Sequence, residues 1–373
     1  MNRCHKIRLD PCLAQEEYLR RACGCTRLAY NWGLAEWKKQ YAAGLKPTAY
    51  GIKKQFNAIK KAEFPFVAEV SKWGPERAFA DLDKAFKGFF AKRAKYPKFK
   101  KKGVRDSFYT DGGVLKVDGL RVKLPVVGWI RMRESLRFSG KIVNGTVSCV
   151  AGKWFISLSV EFDASKPPVR ENQTAGVDLG VKHLATISSN GTVEKVEGPK
   201  ALKKLLPKLQ RLQRTVSRRQ KGSKRRAKAV LAVARLHFRI RCIRDDALHK
   251  LTTNLVRRFS TIGIEDLNVA GMVRNHRLAR SLSDQAFGEF RRQLTYKAEA
   301  AGARLVVADR FFPSTKTCRA CGHVIEKLDL SARVWTCPCC NSCHDRDGNA
   351  ASNLEDLAAG QAGMARGATT ESR

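Results

Sequence analysis

The chain has 373 residues, 43% of them hydrophobic, enough for two or three domains with cores of their own. Its 72 Lys and Arg against 34 Asp and Glu leave a formal charge of +38, far beyond what solubility asks, and imply a polyanionic partner, most simply nucleic acid. A membrane partner is not expected: no uninterrupted apolar run approaches spanning length, and the first residues (M-N-R-C-H-K) lack a signal-peptide core, so the expected location is cytoplasmic, in a nucleoid-associated role in a bacterium or archaeon. Six of the 12 cysteines crowd between Cys318 and Cys343, a pattern of metal binding in a reducing compartment. The other six (Cys4, Cys12, Cys23, Cys25, Cys149, Cys242) read as small buried hydrophobes.

In chain order, residues 1–12 alternate apolar and charged, a short strand. From Gln15 to Tyr41 the apolar spacing is helical (Leu19, Ala22, Cys23, Leu28, Trp32, Trp37). Pro47-Thr48 stops that helix and caps a second running to about Ala62, and Gly74-Pro75 starts a third with Phe79, Leu82, Phe86 and Phe89 on its core side. The basic run Lys92 to Lys102, interleaved with Tyr96 and Phe99, suits phosphate contacts with a stacking partner, against the blander reading of a solvated linker. From Asp106 to Asp163 the period becomes two. Asp118-Gly119 and Asn144-Gly145 are expected as hairpin turns of a small antiparallel barrel, with the three helices inserted after its first strand. Ser165-Lys166-Pro167-Pro168 reads as a linker.

A third region opens with a strand holding a single acid, Asp178, followed by a hairpin at Asn190-Gly191. Between Pro199 and Arg244 there is no Asp or Glu, while Lys200 to Lys228 carries 13 Lys or Arg and keeps leucines at helical spacing. This is expected as a basic helical hairpin over 200–259, broken at Gly222-Ser223, forming a nucleic-acid groove wall. A strand 261–267, a helix 284–301, a strand 304–308, the cysteine cluster and a helix from Asp347 to Leu357 follow. The tail 360–373 is expected to be disordered.

Two chemistries stand out. Cys318-x-x-Cys321 and Cys337-x-x-Cys340 are paired at the spacing of one structural zinc site, with Cys339, Cys343, His323 and His344 as competing ligands. Asp178 within one strand, Glu265 at the end of a later one and Asp347 at a helix start occupy stations from which three carboxylates can converge on magnesium. Two Mg²⁺ ions about 4 Å apart serve phosphodiester hydrolysis. Asp266 is the natural wrong choice, and Asp345 a supporting neighbour. A lone Gly176-Val177-Asp178-Leu179-Gly180 also fits the phosphate turn of an ATPase, so order and context carry the reading.

The succession G-V-D-L-G (176–180), I-E-D-L-N (264–268), F-P-S-T-K-T-C-R-A-C-G (312–322), R-V-W-T-C-P-C-C (333–340) and H-D-R-D-G-N-A-A (344–351) resembles TnpB, the OrfB-type protein of insertion sequences. C-T-R-L-A-Y-N-W-G-L (25–34) and Y-P-K-F-K-K-K-G (96–103) extend the resemblance over residues 5 to 357. It implies an α+β multidomain fold: an antiparallel wedge β-barrel (1–12 and 103–170) with a helical recognition insertion (13–102), then an RNase H-like (RuvC) α/β domain (173–316 and 344–359) containing a zinc ribbon (317–343). It further implies an RNA-guided, Mg²⁺-dependent DNA endonuclease with the triad Asp178, Glu265 and Asp347. The partners implied are a guide RNA from the transposon end and target double-stranded DNA beside a short motif, in a monomeric ribonucleoprotein. Asn341 stands where the family has Gly after the last zinc cysteine, and Cys339 and Cys343 are extra thiols. The competing functions are a guided DNA-binding repressor without cleavage, transposase-type strand transfer, and a plain basic zinc-ribbon binding module.

Overall fold

A computed structural model describes residues 2–162, 173–329 and 331–370. The chain divides into two compact units, residues 1–165 and 166–373. The expected linker Ser165–Pro168 lies outside the described residues.

The first unit holds β1 (Asn2–Asp10), α1 (Leu13–Ala42), α2 (Ala49–Glu63), α3 (Trp73–Phe90), β2 (Ser107–Asp111), β3 (Lys116–Asp118), β4 (Arg121–Leu124), β5 (Gly128–Met132), β6 (Lys141–Val150) and β7 (Lys153–Glu161). The strands form one antiparallel sheet in the order β2-β6-β7-β1-β5-β4-β3. β1 pairs with β7 from Asn2↔Glu161 to Arg8↔Phe155 and with β5 at Leu9↔Met132, so the helices are indeed an insertion between the first strand and the rest. Closure is a separate matter: among the described residues the pairings end at β2 and β3 and do not join those edges. Alternate residues of the sheet (Ile7, Leu9, Val122, Ile130, Met132, Ile156, Leu158) bury against Leu19 and Ala22 of α1. The other side of α1 packs on α2 and α3 through Leu34, Trp37, Ile52, Phe56, Phe79 and Phe86, with Trp37 and Phe86 stacked at 4.1 Å. Thr48 caps α2 as expected, its side chain accepting from Gly51 N at 3.1 Å.

Two expectations need correcting in this unit, and one alternative reading falls away. Asn144-Gly145 is not a turn: both lie inside β6, beside a register shift at Ile142/Asn144, and the chain reverses at Ala151-Gly152. Those two residues have φ of 52° and 72°, the left-handed pair that a two-residue hairpin needs, carried at its first position by an alanine, which gives little turn signal. The basic run is not a free linker. Asn31 brackets Lys100 (Lys100 N to Oδ1, 2.8 Å; Nδ2 to Lys100 O, 3.0 Å), and Tyr96 packs edge-on against Phe86 and Phe89. Cys4 and Cys12, like Cys242 in the second unit, are exposed rather than buried.

The second unit holds β8 (Thr174–Asp178), β9 (Ala185–Ser189), β10 (Thr192–Val196), α4 (Ala201–Ser217), α5 (Lys224–Arg258), β11 (Thr261–Ile264), α6 (Val269–Met272), α7 (Ala279–Gln285), α8 (Phe287–Ala301), β12 (Arg304–Val307), β13 (Val334–Thr336), β14 (Cys343–Asp345) and α9 (Arg346–Thr370). Its main sheet runs β10-β9-β8-β11-β12. β8, β11 and β12 are parallel, while β9 is antiparallel to both β8 and β10. Asn190-Gly191 makes the β9–β10 turn with φ of 49° and 75°, as expected. Both faces of the sheet are covered. Ala175, Val177, Ile262 and Ile264 join Leu248, Leu251 and Leu255 of α5 and Phe290 and Leu294 of α8 in one core. The alternate residues of β8 and β11 face α9.

α4 and α5 form the expected basic hairpin. Leu209, Leu236 and Ile240 are buried between them, and Ser223 caps α5. The single helix expected at 284–301 is two, α7 and α8, divided at Ala286 with φ of 56°. The reason is local: Asp284 accepts from Leu202 N (2.9 Å) and Lys203 N (3.1 Å), capping α4, while Phe287 enters the core. α9 continues to Thr370, past the expected end at Leu357 and through most of the tail expected to be disordered. The segment contains no proline and several alanines, so a helix pattern without apolar periodicity goes on being helical.

Candidate functional site

The carboxylates are positioned by two glycines. β8 and β11 are in register with Val177 opposite Ile264, so Asp178 and Glu265 follow one another at the same end of adjacent parallel strands. Gly176 and Gly263, each two residues before its acid, share that acid's face of the strand. A Cβ on Gly176 would lie 1.9 Å from Ala351 O, and one on Gly263 2.3 Å from Leu354 O. The backbone of α9 therefore rests directly on the sheet at both places, and its first turn, with Asp347, is held over the same strand ends. The ATPase phosphate-turn reading of Gly176 gives way to this role in helix packing.

Asp178 is only 9% exposed. Burial, then repulsion from Glu265 and Asp347, pushes its carboxyl well above the ordinary range, with Arg346 and the Leu179 amide opposing. Three acids are thus gathered with incomplete compensation; Arg333 Nη1 is 3.8 Å from Asp347 Oδ1. Hard carboxylate oxygens are the ligand type that Mg²⁺ takes, so the donor chemistry of Asp178, Glu265 and Asp347 suits such an ion.

The neighbouring acids do other work. Asp266 is paired with Arg291 and with Arg310 (Nη2 to Oδ2, 2.7 Å), and these hydrogen bonds hold its carboxyl below the usual range. Asp345 caps α9 through Gly348 N (2.8 Å) and pairs with Lys195 Nζ (2.9 Å). Burial pushes its carboxyl up, but those two partners outweigh burial and leave it lowered.

Sequence reasoning missed the polar staples of α9. Ser314 donates its hydroxyl to Glu265 Oε1. Asn353 Nδ2 donates to Ser314 O and to Thr317 O, both at 2.7 Å, and Asn349 Nδ2 to Thr317 O at 2.7 Å. Further along, buried Glu355 accepts from Ser188 Oγ (2.6 Å) and Asn190 N (2.7 Å). The only signal for these was the i, i+4 spacing of Asn349 and Asn353 after Asp347.

The four cysteines at 318, 321, 337 and 340 come together, all four sulfurs within 4.8 Å of one another. Cys318–Cys340 and Cys321–Cys337 sulfurs are 3.6 Å apart, close to the edge of about 3.8 Å of a tetrahedron with zinc–sulfur bonds of about 2.3 Å. The cluster could hold one structural metal ion such as zinc. Two matching turns build it: Gly322 N bonds Cys318 O (2.8 Å) and Asn341 N bonds Cys337 O (3.0 Å). Gly322 and Asn341 have φ of 75° and 58°. Asn341 thus takes a left-handed conformation, and asparagine is among the residues that tolerate it. Cys339 and Cys343 stay outside the cluster and exposed. His344 Nε2 lies 3.0 Å from Cys318 Sγ with its ring against Trp335, outside the group of four sulfurs. His323 contributes its carbonyl to Cys318 N.

Charge is concentrated on the hairpin: Arg211, Arg214, Arg218 and Arg219 are exposed on α4 and the turn that follows it. No helix among the described residues is long and apolar enough to cross a membrane.

Fold and site together define a strongly basic two-unit protein with a buried aspartate, Asp178, under the influence of two further carboxylates, and a cluster of four cysteine sulfurs that could hold a metal ion. The family model described as "Probable transposase" (OrfB, IS605 type) matches residues 157–276, a "Cas12f1-like, TNB domain" model matches 287–354, and an OrfB-type "Helix-turn-helix domain" model matches 1–46. The last falls here on β1 and the single long helix α1. A Streptomyces pristinaespiralis protein named as an RNA-guided DNA endonuclease is 40% identical, with 98% of this chain and 91% of that protein covered. The Escherichia coli (strain K12) protein InsQ, named likewise, is 36% identical over 98% and 94%. Among solved structures, a Cas12f1–sgRNA–target DNA complex aligns over 95% of this chain and 99% of that one, at 13% identity and a TM-score of 0.39. The chain belongs to the TnpB family, the OrfB proteins of IS605-type insertion sequences.

Proposed function

We propose that this protein is an RNA-guided DNA endonuclease of a transposable element, cutting at a centre formed by Asp178, Glu265 and Asp347. The convergence of those three acids where α9 meets the ends of β8 and β11 carries the reading. The strand order β10-β9-β8-β11-β12, with its first three strands antiparallel, supports an RNase H-like (RuvC) domain. The naming of the full-length relatives as RNA-guided DNA endonucleases supports the activity.

Asp178, Glu265 and Asp347 would hold the divalent ions, and when bound those ions supply an activated water and stabilise the leaving oxygen. Burial, then the two other carboxylates, holds the Asp178 carboxyl above the ordinary range, and a bound cation would oppose that shift. Arg333 and Arg346 bring positive charge close to Asp347 and Asp178, where a scissile phosphate would sit. The four cysteines would hold zinc and keep the loop leading to Ser314 in place. The first unit's antiparallel sheet and helices serve as wedge and recognition elements, and the exposed arginines of α4 neutralise nucleic-acid phosphate. The guide is an RNA from the transposon end, the target is duplex DNA beside a short motif, and the particle is a cytoplasmic monomeric ribonucleoprotein.

The test is to express the protein with its native flanking DNA, sequence the RNA that copurifies, and assay cleavage of a matching target in Mg²⁺. A discrete RNA ending in transposon-flank sequence, with cleavage lost in Asp178→Ala, is the expected result. Guided binding without cleavage in the unaltered protein would make it a repressor. Heterogeneous RNA would leave a basic binding module.

A further inference from the structure

Ser314 sits in F-P-S-T-K-T-C, a stretch assigned no chemistry, yet it is 3% exposed and bonded at both ends. Its hydroxyl donates to Glu265 Oε1, which is the one side-chain hydrogen bond Glu265 accepts among the described residues. Its carbonyl accepts from Asn353 Nδ2 at 2.7 Å and from Asn349 Nδ2 at 3.4 Å. Both asparagines belong to α9, the helix that begins with Asp347 in its first turn. Ser314 therefore ties the second acid of the cluster to the helix bearing the third. Pro313 O, accepting from Lys316 N and Thr317 N (both 3.0 Å), closes the same loop into a tight turn. Cys318 follows with its sulfur in the thiolate cluster.

We propose that Ser314 is a positioning residue for the divalent-ion site. It fixes the rotamer of Glu265 and occupies one carboxylate oxygen, so that the remaining lone pairs face the ion. It also couples that geometry to the thiolate cluster through the short loop that runs from it to Cys318. A glutamate has three rotatable bonds and would otherwise sample several rotamers beside two like charges. A donor on the far side of a ligand removes that freedom and tunes its basicity. This rests on the carboxylate reading above.

The experiment measures Mn²⁺ binding to the zinc-loaded, RNA-free full chain by electron paramagnetic resonance of free Mn²⁺. The proteins compared are the unaltered chain, Ser314→Ala, Ser314→Thr, Glu265→Ala, the double variant Ser314→Ala/Glu265→Ala, and Asp178→Ala. Ser314→Ala is expected to weaken Mn²⁺ binding about tenfold with zinc content unchanged. Ser314→Thr, which keeps the hydroxyl, is expected to bind within about twofold of the unaltered chain, and the double variant to bind no worse than Glu265→Ala, because Ser314 acts through that carboxylate. Ser314→Ala binding like the unaltered chain while Asp178→Ala loses the ion would overturn the proposal and leave the carboxylate site standing. Additive losses in the double variant would reduce Ser314 to a structural role. Asp178→Ala binding Mn²⁺ normally would instead remove the carboxylate site itself, and this proposal with it.

Discussion

Gly176 and Ala351 are in backbone contact: a side chain at 176 would place its first carbon 1.9 Å from the Ala351 carbonyl oxygen. Ala351 lies one helical turn beyond Asp347, and Gly176 two residues before Asp178 on the same strand face. The distance between two acids far apart in sequence is thus set by the absence of one methyl group. Gly176→Ala should force α9 off the sheet, costing about 3 kcal/mol of stability and abolishing cleavage. Gly263→Ala, against Leu354 O, should do the same. Thermal unfolding and a cleavage assay check both, and unchanged melting would mean that α9 is not seated as described.

The buried Asp178 makes a pH prediction for protein freed of divalent ions. Its folded carboxyl lies above the unfolded value, so its contribution to stability is fully present at pH below the unfolded value near 3.8 and is lost as pH rises through the raised folded value. In the ion-free protein, ionising that carboxyl works against burial and against Glu265 and Asp347. Asp178→Asn should then melt higher than the unaltered protein at pH 7, the gap narrowing towards pH 4. Added Mg²⁺ should raise the melting temperature of the unaltered protein only.

The thiolate cluster separates its candidates cleanly. Cys318→Ala or Cys337→Ala should lose the bound zinc, whereas Cys339→Ala and Cys343→Ala should keep one zinc per chain, measured by elemental analysis of purified protein. Zinc loss should also depress cleavage, because the loop that leaves Cys318 runs back to Ser314 and Glu265. Retained zinc in Cys337→Ala would refute the assignment.

Charge reversal of Arg211, Arg214, Arg218 and Arg219 to Glu should weaken RNA binding. It should flatten the dependence of log K on log salt by roughly one unit for each phosphate that is no longer neutralised. Fluorescence anisotropy across a salt series reads this, and an unaltered slope would return α4 to a merely solvated face.

The sequence by itself determined the local parts. Periodicity placed the helices of the first unit, the Asn190-Gly191 pair placed the β9–β10 turn, and the paired C-x-x-C spacing picked out the four sulfurs, because each is a short-range pattern with its own geometric cause. Motif order nominated Asp178, Glu265 and Asp347. Only tertiary structure showed Asp178 buried against the other two, since that depends on strand register and on how closely α9 can approach. It also decided that Asn144-Gly145 is mid-strand while Ala151-Gly152 turns, because pairing with β7 outweighs turn propensity. It separated Asp345, a helix cap, and Asp266, an arginine partner, from the acids left without full compensation. And it revealed Ser314, Asn349 and Asn353, whose role is to satisfy backbone and carboxylate groups brought together from distant parts of the chain, something no local pattern encodes.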